Sequence, residues 1–547
     1  MSDGTAHHGV VACVESLAAD AGAEMLRRGG NATDAAVATA FAQGVVDPIY
    51  CGIAGGFHGI FHDAGRGVTN VISAGGRAPL AASDSMWTLV SRRGALWEVE
   101  GNRNRLGYEA SMVPGFVRGA AEALQRFGSG RVGWREVIEP SIVLAEDGFS
   151  VYPYLYRLWM PRTERMRNFL ESLDGPAVLG HTPACADVYL HPDGSVYEIG
   201  ETLVQHDYAS TLRVLAERGA DEFYEGEIAH RIADDFEAHG GLLSLEDLRR
   251  YQPDIGPPLS TGFHDLTVLT EPAPTIGVVI LEILNILEGW DLGALDWNSA
   301  RYLDRLARAF HAAFRDRMSQ LGDPDFVDVP EEMLLSKEYA SRLRDDIERE
   351  SESPPGVADR RAPARPVTAE TTHVSVLDTA GNAAAITHSL GMSSGVVTQG
   401  LGFQHNCHMV MFDPTPGSRN AIAPWKRPIT GGGPTLFMRD GEVRLVIGSP
   451  AGALKATGLI QALLNVEQFG MPIQQAVSVD RIHAEDEPST VVVEPHFEPR
   501  VLEQLAAMGH RIRFDWYTAR LAGVAKTDSG ALAGGTDPRG DRGLAIV

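Results

Sequence analysis

The spacing of hydrophobic residues changes along the chain and predicts alternating helices and strands. Residues 15–28 have apolar positions at helical spacing, and Gly29-Gly30-Asn31 ends this helix as a C-cap would. An alanine-rich second helix is predicted for residues 32–43, and further helices for residues 454–469 and 501–508.

After residue 371 the pattern is typical of strands. Val374 and Val376 alternate with other residues, and residues 383–386 form an apolar run beyond the turn Thr379-Ala380-Gly381-Asn382. Residues 444–447 predict another strand. Strands that alternate with helices indicate a mixed α/β architecture.

Composition excludes one class of partner. The chain has 547 residues, 44% of them hydrophobic, which is enough to bury a large core. Its formal net charge of -25 argues against nucleic acid, because a binding face would have to neutralise phosphates. A small anionic substrate stays open, since a few local arginines can override the net charge within a pocket.

No targeting or membrane segment is predicted. The first eight residues are polar, and the apolar run Gly277–Leu287 is short and contains Glu282 and Asn285. The four cysteines are scattered without close pairs, which favours reduced, mostly buried thiols. We therefore expect a cytoplasmic protein that does not bind a membrane.

A proline-rich stretch precedes a candidate nucleophile. Residues 351–370 have the composition of a flexible arm, and Thr371 follows directly and opens a strand. A threonine at a free N-terminus carries its own base, since its α-amine has an ordinary pKa of about 7.7 to 8.0. The alternative is an ordinary surface loop followed by a strand threonine.

Several motifs resemble those of the γ-glutamyltransferase family of N-terminal nucleophile hydrolases. They are Arg-Arg-Gly-Gly-Asn-Ala at 27–32, Thr-Thr-His-x-Ser-Val-x-Asp-x-x-Gly-Asn from Thr371, Ala-Ile-Ala-Pro-Trp-Lys-Arg-Pro at 421–428 and Gly-Ser-Pro-Ala-Gly at 448–452. The resemblance implies a four-layer αββα sandwich that cleaves itself between Glu370 and Thr371. The large subunit, 1–370, and the small subunit, 371–547, would stay associated, and a homodimer of such heterodimers is compatible with it.

The resemblance also implies catalytic roles. Thr371 would be the nucleophile, and Ser389, eighteen residues later, would hydrogen-bond to its hydroxyl. Thr387 and Gly391 are expected on the same strand face as Ser389 by period-two alternation. Backbone N–H groups of Ala451 and Gly452 would form the oxyanion hole. Ala451 replaces a glycine of the family, and the alanine is tolerated if the φ angle of this residue is negative. For Ser389 the alternative is a hydroxyl with a purely structural role in the sheet.

The substrate-binding positions depart from the family. Gly75 stands where the family has its carboxylate-clamping arginine, with Arg77 two residues on, either reaching the pocket or forming a surface charge. Gly391 replaces an asparagine, and the acidic stretch that holds the glutamyl ammonium reads Asn-Cys-His-Met-Val-Met. The expected pocket residues are His405, His408, Met411, Trp425, Thr430 and Gly431.

A metal site at His405 and His408 is not expected. On a strand the two side chains would point to opposite faces, and this type of nucleophile needs no metal. We expect no cofactor.

The leading hypothesis is an amide hydrolase, or acylase, that acts on a small acyl amide without the γ-glutamyl head. An ammonium would cost several kcal/mol in a pocket that has lost its aspartate partner. The alternatives are a true γ-glutamyl transferase or glutathione hydrolase, a hydrolase that removes an oxalyl group by breaking a C–C bond, and a non-catalytic homologue.

Cleavage before Thr371 is the first testable prediction. Edman sequencing of the smaller fragment should read Thr-Thr-His-Val-Ser, and Thr371→Ala should leave one chain, because alanine has no hydroxyl for the acyl shift. A fragment with another N-terminus, or an alanine variant that still splits, would exclude Thr371 as the nucleophile.

Overall fold

The computed structural model describes residues 6–93, 96–160, 175–352, 371–485, 487, 489–516 and 518–547. Of the arm expected at 351–370, residues 351–352 end a helix; residues 353–370, including Glu370, lie outside the described residues. No helix within the described ranges is long and apolar enough to cross a membrane.

Strands supply the frame of the molecule. In chain order, the strands of the described residues are β1 Gly9–Cys13, β2 Gly56–Asp63, β3 Val68–Ala74, β4 Leu89–Arg93, β5 Leu96–Val99, β6 Phe149–Ser150, β7 Thr202–Leu203, β8 Asp254–Gly256, β9 Leu259–Phe263, β10 Leu266–Thr270, β11 Thr372–Asp378, β12 Ala383–Ser389, β13 Thr435–Arg439, β14 Glu442–Gly448, β15 Ile482–His483, β16 Thr490–Val493, β17 Arg511–Phe514, β18 Ala522–Lys526, β19 Leu532–Thr536 and β20 Gly543–Ile546.

Helices cover the strands. Within the described ranges, the α-helices are α1 Ser16–Arg27, α2 Ala32–Val46, α3 Phe116–Phe127, α4 Trp134–Asp147, α5 Pro153–Trp159, α6 Gly175–Leu179, α7 Pro183–Tyr189, α8 His206–Arg218, α9 Asp221–Tyr224, α10 Glu227–Ala238, α11 Leu245–Arg250, α12 Gly277–Leu287, α13 Ala300–Gln320, α14 Glu331–Leu334, α15 Lys337–Glu352, α16 Leu454–Glu467, α17 Ile473–Ser478 and α18 Pro499–Ala507. Short 3₁₀ helices span Glu100–Asn102, Tyr108–Ala110 and His408–Met411.

Two antiparallel sheets pack face to face. The first has the order β20-β1-β11-β12-β2-β3-β8 and the second β19-β18-β14-β13-β10-β9. Side chains of both sheets share one apolar cluster, which includes Val10, Leu377 and Ala385 from the first sheet and Leu436 and Val446 from the second. This cluster is the central layer of the core.

Helices cover the outer face of each sheet. The first sheet buries Val374, Val376 and Ile386 against α1 to α4, and the second buries Phe437 and Leu445 against α12, α13 and α16. The order of layers is therefore helix, sheet, sheet, helix, and the predicted mixed α/β sandwich is confirmed.

The helices predicted from periodicity are present with small differences at their ends. α1 begins at Ser16, and α2 continues to Val46 because every one of its residues is buried between α1, α4 and the sheet. Asn31 starts α2 with a capping box, in which its side chain accepts from the backbone of Thr33 and Asp34.

Candidate active site

The pairing of β11 with β12 brings two hydroxyls together. Thr372 lies opposite His388 and His373 opposite Thr387. One residue further in the same register, Thr371 comes opposite Ser389, and its Oγ1 donates to Ser389 Oγ at 3.3 Å. The backbone N–H of Gly391 also donates to Ser389 Oγ, at 2.8 Å. The expected contact between the hydroxyls is present, while their catalytic roles stay predictions.

A buried histidine continues this row of polar groups. Ser375 Oγ donates to the Ala522 carbonyl, so it accepts from His373 Nε2 at 2.9 Å. Nδ1 of His373 is then left to accept from Thr387 Oγ1 at 2.8 Å. Burial lowers the pKa of His373 well below its usual value, with a further contribution from Lys455. The histidine is therefore neutral, and it fixes the Thr387 hydroxyl at the cavity wall.

On the opposite face of β11, a buried carboxylate holds the neighbour of Thr371. Glu15 is 1% exposed and accepts from Thr372 Oγ1 at 2.8 Å and from Gln43 Nε2 at 2.6 Å. Burial raises the pKa of Glu15, and Arg520 and the two hydrogen bonds act in the opposite sense. Gln43 Oε1 pairs with His388 Nε2 at 3.0 Å, so the network spans both strands of the hairpin.

Arg520 connects the predicted nucleophile to the glycine-rich turn after β14. Its Nη2 donates to the Thr371 carbonyl at 3.2 Å, and its backbone N–H donates to Ser449 Oγ at 3.2 Å. The guanidinium lies over the Tyr154 ring, 4.3 Å from the centroid. These contacts fix the start of β11 relative to the turn at 448–452.

That turn follows β14 directly and lies against a second glycine-rich segment. A Cβ atom added to Gly431 would lie 2.8 Å from Gly452 Cα, and one added to Gly448 would lie 2.3 Å from the His373 ring. The alanine at position 451 would be tolerated without strain if its φ were negative, and this condition is not met, since its φ is +84°. An alanine there is strained, whereas the family's glycine would not be.

A cavity of about 200 Å³ opens beside Thr371. It brings together nine of the residues predicted from the sequence: Thr371, Thr387, Ser389, Gly391, His408, Met411, Thr430, Gly431 and Gly452. Gly391 lies beyond the end of β12 with φ +76°, and not on the strand face with Thr387 and Ser389 as expected.

Arg77 and Trp425 do not line this cavity. The Arg77 guanidinium forms ion pairs with Asp254 at 3.0 Å and Asp325 at 3.4 Å, and donates to the Trp425 carbonyl at 3.2 Å. The Trp425 ring packs under Arg250. Arg77 is thus held by carboxylates from distant parts of the chain, which the sequence spacing did not reveal. Ala451 was predicted to donate its backbone N–H in the oxyanion hole, and it is buried beside the cavity.

The two histidines considered for a metal are not on a strand together. His408 begins the 3₁₀ helix His408–Met411 and lines the cavity, whereas His405 packs against Phe236 and pairs with Thr398 at 3.2 Å. Burial lowers the pKa of each histidine to about 3. Within the described ranges, no group of three or more His, Cys, Asp or Glu side chains is arranged to hold a metal ion.

Sequence reasoning missed His58 on β2 as a cavity residue. Its Nδ1 lies 2.9 Å from the fully buried Glu271, and its ring fills the space beside two glycines. A Cβ atom at Gly75 would lie 2.6 Å from His58 Cε1, and one at Gly432 would lie 2.6 Å from its Nδ1. The side chain that the family carries at position 75 is therefore incompatible with His58 in this position.

Lys455 was missed as well, although the sequence contains a signal. It is the one charged residue in the stretch from Gly448 to Val466, three residues after the predicted oxyanion turn. Lys455 lines the cavity and is 1% exposed. Burial lowers its pKa to about 7, and Glu271 acts in the opposite sense.

Comparisons with known proteins agree over nearly the whole chain. The family model described as gamma-glutamyltranspeptidase matches residues 18–547. The chain is 32% identical to the glutathione hydrolase proenzyme of Escherichia coli K12, over 98% of this chain and 91% of that protein. It is 34% identical to the acylase ACY 1 proenzyme of Pseudomonas sp. strain SE83, over 97% and 92%.

A solved structure has the same fold. The crystal structure of a cephalosporin acylase from Bacillus halodurans superposes with a TM-score of 0.85 at 28% identity, covering 100% of this chain and 97% of that one.

The strained alanine of the turn gives a prediction about stability. Ala451→Gly should raise the free energy of unfolding by about 0.5 to 1 kcal/mol, because glycine accepts a positive φ and this gain exceeds its greater freedom in the unfolded chain. Ala453, two residues on, has φ -66° and is the matched control. Chemical denaturation should show Ala453→Gly to be less stable than the parent. Equal destabilisation by both changes would contradict strain at Ala451.

Proposed function

The chain belongs to the γ-glutamyltranspeptidase family and is an autoprocessed N-terminal nucleophile hydrolase, and within that family we propose that it is an acylase. Its substrate would be a small acyl amide that lacks the γ-glutamyl head. The observation that carries this proposal is the composition of the cavity beside Thr371.

The cavity walls carry more positive than negative charge. Among its described lining residues, Asp413 is the one carboxylate, and its Oδ1 already accepts from the Thr415 backbone N–H at 2.8 Å. Arg317, Arg419 and Lys455 line the same space. An ammonium group entering this cavity would lose its hydration among positively charged side chains and would find one carboxylate, Asp413, that is already hydrogen-bonded, which is costly.

The geometry supports self-cleavage followed by acyl transfer to water. In the precursor, Thr371 Oγ1 would bond to the Glu370 carbonyl carbon, the Glu370–Thr371 C–N bond would break, and the released nitrogen would take the hydroxyl proton. Water would then open the ester and leave Thr371 with a free α-amine. In the mature protein the α-amine of Thr371 would take the hydroxyl proton as Oγ1 bonds to the acyl carbon. The amine of the substrate would leave with that proton, and water would release the acid.

The residues around Thr371 have supporting roles in this proposal. Ser389 would hydrogen-bond to the reacting hydroxyl, and the backbone N–H groups of Ala451 and Gly452 would donate to the oxyanion. Removing one such donor costs about 3 to 4 kcal/mol of transition-state stabilisation in hydrolases. Arg520 donates to the Thr371 carbonyl and Glu15 accepts from the adjacent Thr372, and both would act by positioning the Thr371 backbone.

A γ-glutamyl hydrolase or transferase is the second candidate, because Asp413 could meet a substrate ammonium. The glutathione hydrolase of Escherichia coli is similar to this chain over the same length. The subunit boundary at Thr371 and a location in the cytoplasm remain predictions from the sequence.

One pair of substrates separates the two candidates. Glutaryl-p-nitroanilide and γ-glutamyl-p-nitroanilide differ by a single amino group, so their kcat/KM values report the cost of the ammonium. We expect the glutaryl compound to be preferred by at least about a hundredfold, since charge-assisted contacts are worth about 1.5 to 3 kcal/mol each. Preference for the γ-glutamyl compound would instead establish the second candidate, and turnover of neither would refute the acylase proposal.

A further inference from the structure

A lysine is buried in the wall of the catalytic cavity without an ion-pair partner. Lys455 lies in the first turn of α16, and its Nζ donates to the Gly431 carbonyl. An ammonium has three N–H donors. In the described part of the chain, no other acceptor bonds to Nζ and no carboxylate lies within ion-pair distance of it. The remaining donors can therefore serve a ligand in the cavity.

This position is unfavourable for a cation unless an anion is bound. Burial removes the hydration of the ammonium, and the N-terminus of a helix repels positive charge. The low pKa of Lys455, about 7, expresses the cost of burial. Glu271 compensates partly, but its carboxylate is engaged by His58 and Ser73. A carboxylate from a substrate would supply the missing partner and restore the full charge of the lysine.

The ammonium is close to the place where the acyl carbonyl would react. Its acceptor residue, Gly431, lies so close to Gly452 of the predicted oxyanion turn that a Cβ atom added to it would be 2.8 Å from Gly452 Cα. Adding standard bond lengths to this approach and to the hydrogen bond of Lys455 places Nζ less than about 10 Å from Gly452 Cα. Because this separation is an upper limit and each end takes up a hydrogen bond, the acyl group that spans it is short, with about five carbon atoms at most.

The structure leaves no room at position 75 for the arginine that binds the substrate carboxylate in the family. The ring of His58 occupies the space beside Gly75, where a Cβ atom would clash at 2.6 Å. His58 is held there by Glu271 and by contact with Gly432. A carboxylate in this cavity therefore cannot be bound from position 75, and among the cationic lining residues Lys455 of α16 is the one beside the predicted oxyanion turn.

We propose that Lys455 binds the free carboxylate of a short dicarboxylic acyl group, so that the substrates are amides of dicarboxylic acids with two to five carbons. This inference rests on the proposed acylase function and names its substrate class. It assigns substrate specificity to a residue outside the motifs of the nucleophile and the oxyanion turn.

The test compares matched anilides on the purified mature protein. Glutaryl- and valeryl-p-nitroanilide have acyl chains of five carbons and differ in the terminal carboxylate. Succinyl- and butyryl-p-nitroanilide form a second such pair with chains of four carbons. In Lys455→Met, which keeps the length of the side chain, the ratio of kcat/KM for the dicarboxylic over the monocarboxylic member should fall at least about tenfold. The fall should lie mainly in KM, and Lys455→Arg should retain part of the ratio.

The control is Lys526→Met, because Lys526 on β18 lies at the surface and pairs with Glu442. Its ratio should equal that of the parent. An unchanged ratio in Lys455→Met would overturn the proposal, and so would an equal loss for both anilides, which would indicate a structural role in holding Gly431.

Binding of ligands that cannot be hydrolysed provides a measurement without turnover. The methyl ketones 5-oxohexanoate and 2-hexanone correspond to the glutaryl and valeryl groups and differ in the terminal carboxylate. By calorimetry on the parent protein, 5-oxohexanoate should bind at least about tenfold more tightly than 2-hexanone. Equal affinities would overturn the proposal even if Lys455→Met failed to mature. If the parent hydrolyses no anilide, the acylase function fails, while the comparison of the two ketones still decides the role of Lys455.

Discussion

The antiparallel register of β11 and β12 is the constraint on which the site depends. This pairing sets Thr371 opposite Ser389 and His373 opposite Thr387, so that the polar side chains of both strands share one face. A shift of one residue would turn them toward the helical layer and bury apolar residues in their place. Because β1 and β2 flank the pair, the register is fixed on both sides.

The same arrangement of strands determines which buried charged side chains find partners inside the sandwich. Strands covered on both faces have no access to water, so every polar group at their ends needs a partner. Glu15 is satisfied by Thr372 and Gln43, and lies near Arg520. Lys455 has a single carbonyl and a distant carboxylate. The hydrogen-bond network of Glu15 lies within the protein and positions the backbone. Lys455, in contrast, keeps N–H donors that face the cavity.

The mixed α/β class could be predicted from periodicity, whereas the four layers and the contact between Thr371 and Ser389 were expected from the resemblance of the motifs to a known family. The structure shows why that contact transfers between relatives, since both residues belong to one hairpin, whose register brings them together. Backbone angles at Gly391 and Ala451 depend on close contacts with other segments and were not predicted. The position of Arg77 stayed open for a similar reason, since its partners Asp254 and Asp325 come from remote parts of the chain. His58 and Lys455 could have been noticed as polar residues in otherwise apolar or glycine-rich stretches.

The central claim is that the Thr371 hydroxyl carries the acyl group during turnover. Rapid acid quenching of the mature protein with a slowly hydrolysed anilide, followed by peptide mass spectrometry, tests it directly. The account predicts a mass increase of one acyl group on the peptide that begins at Thr371, removable by hydroxylamine because the bond is an ester. An adduct that fragmentation of the peptides places on another residue, such as Ser389 or Lys455, would contradict it, as would a burst of p-nitroaniline without any adduct.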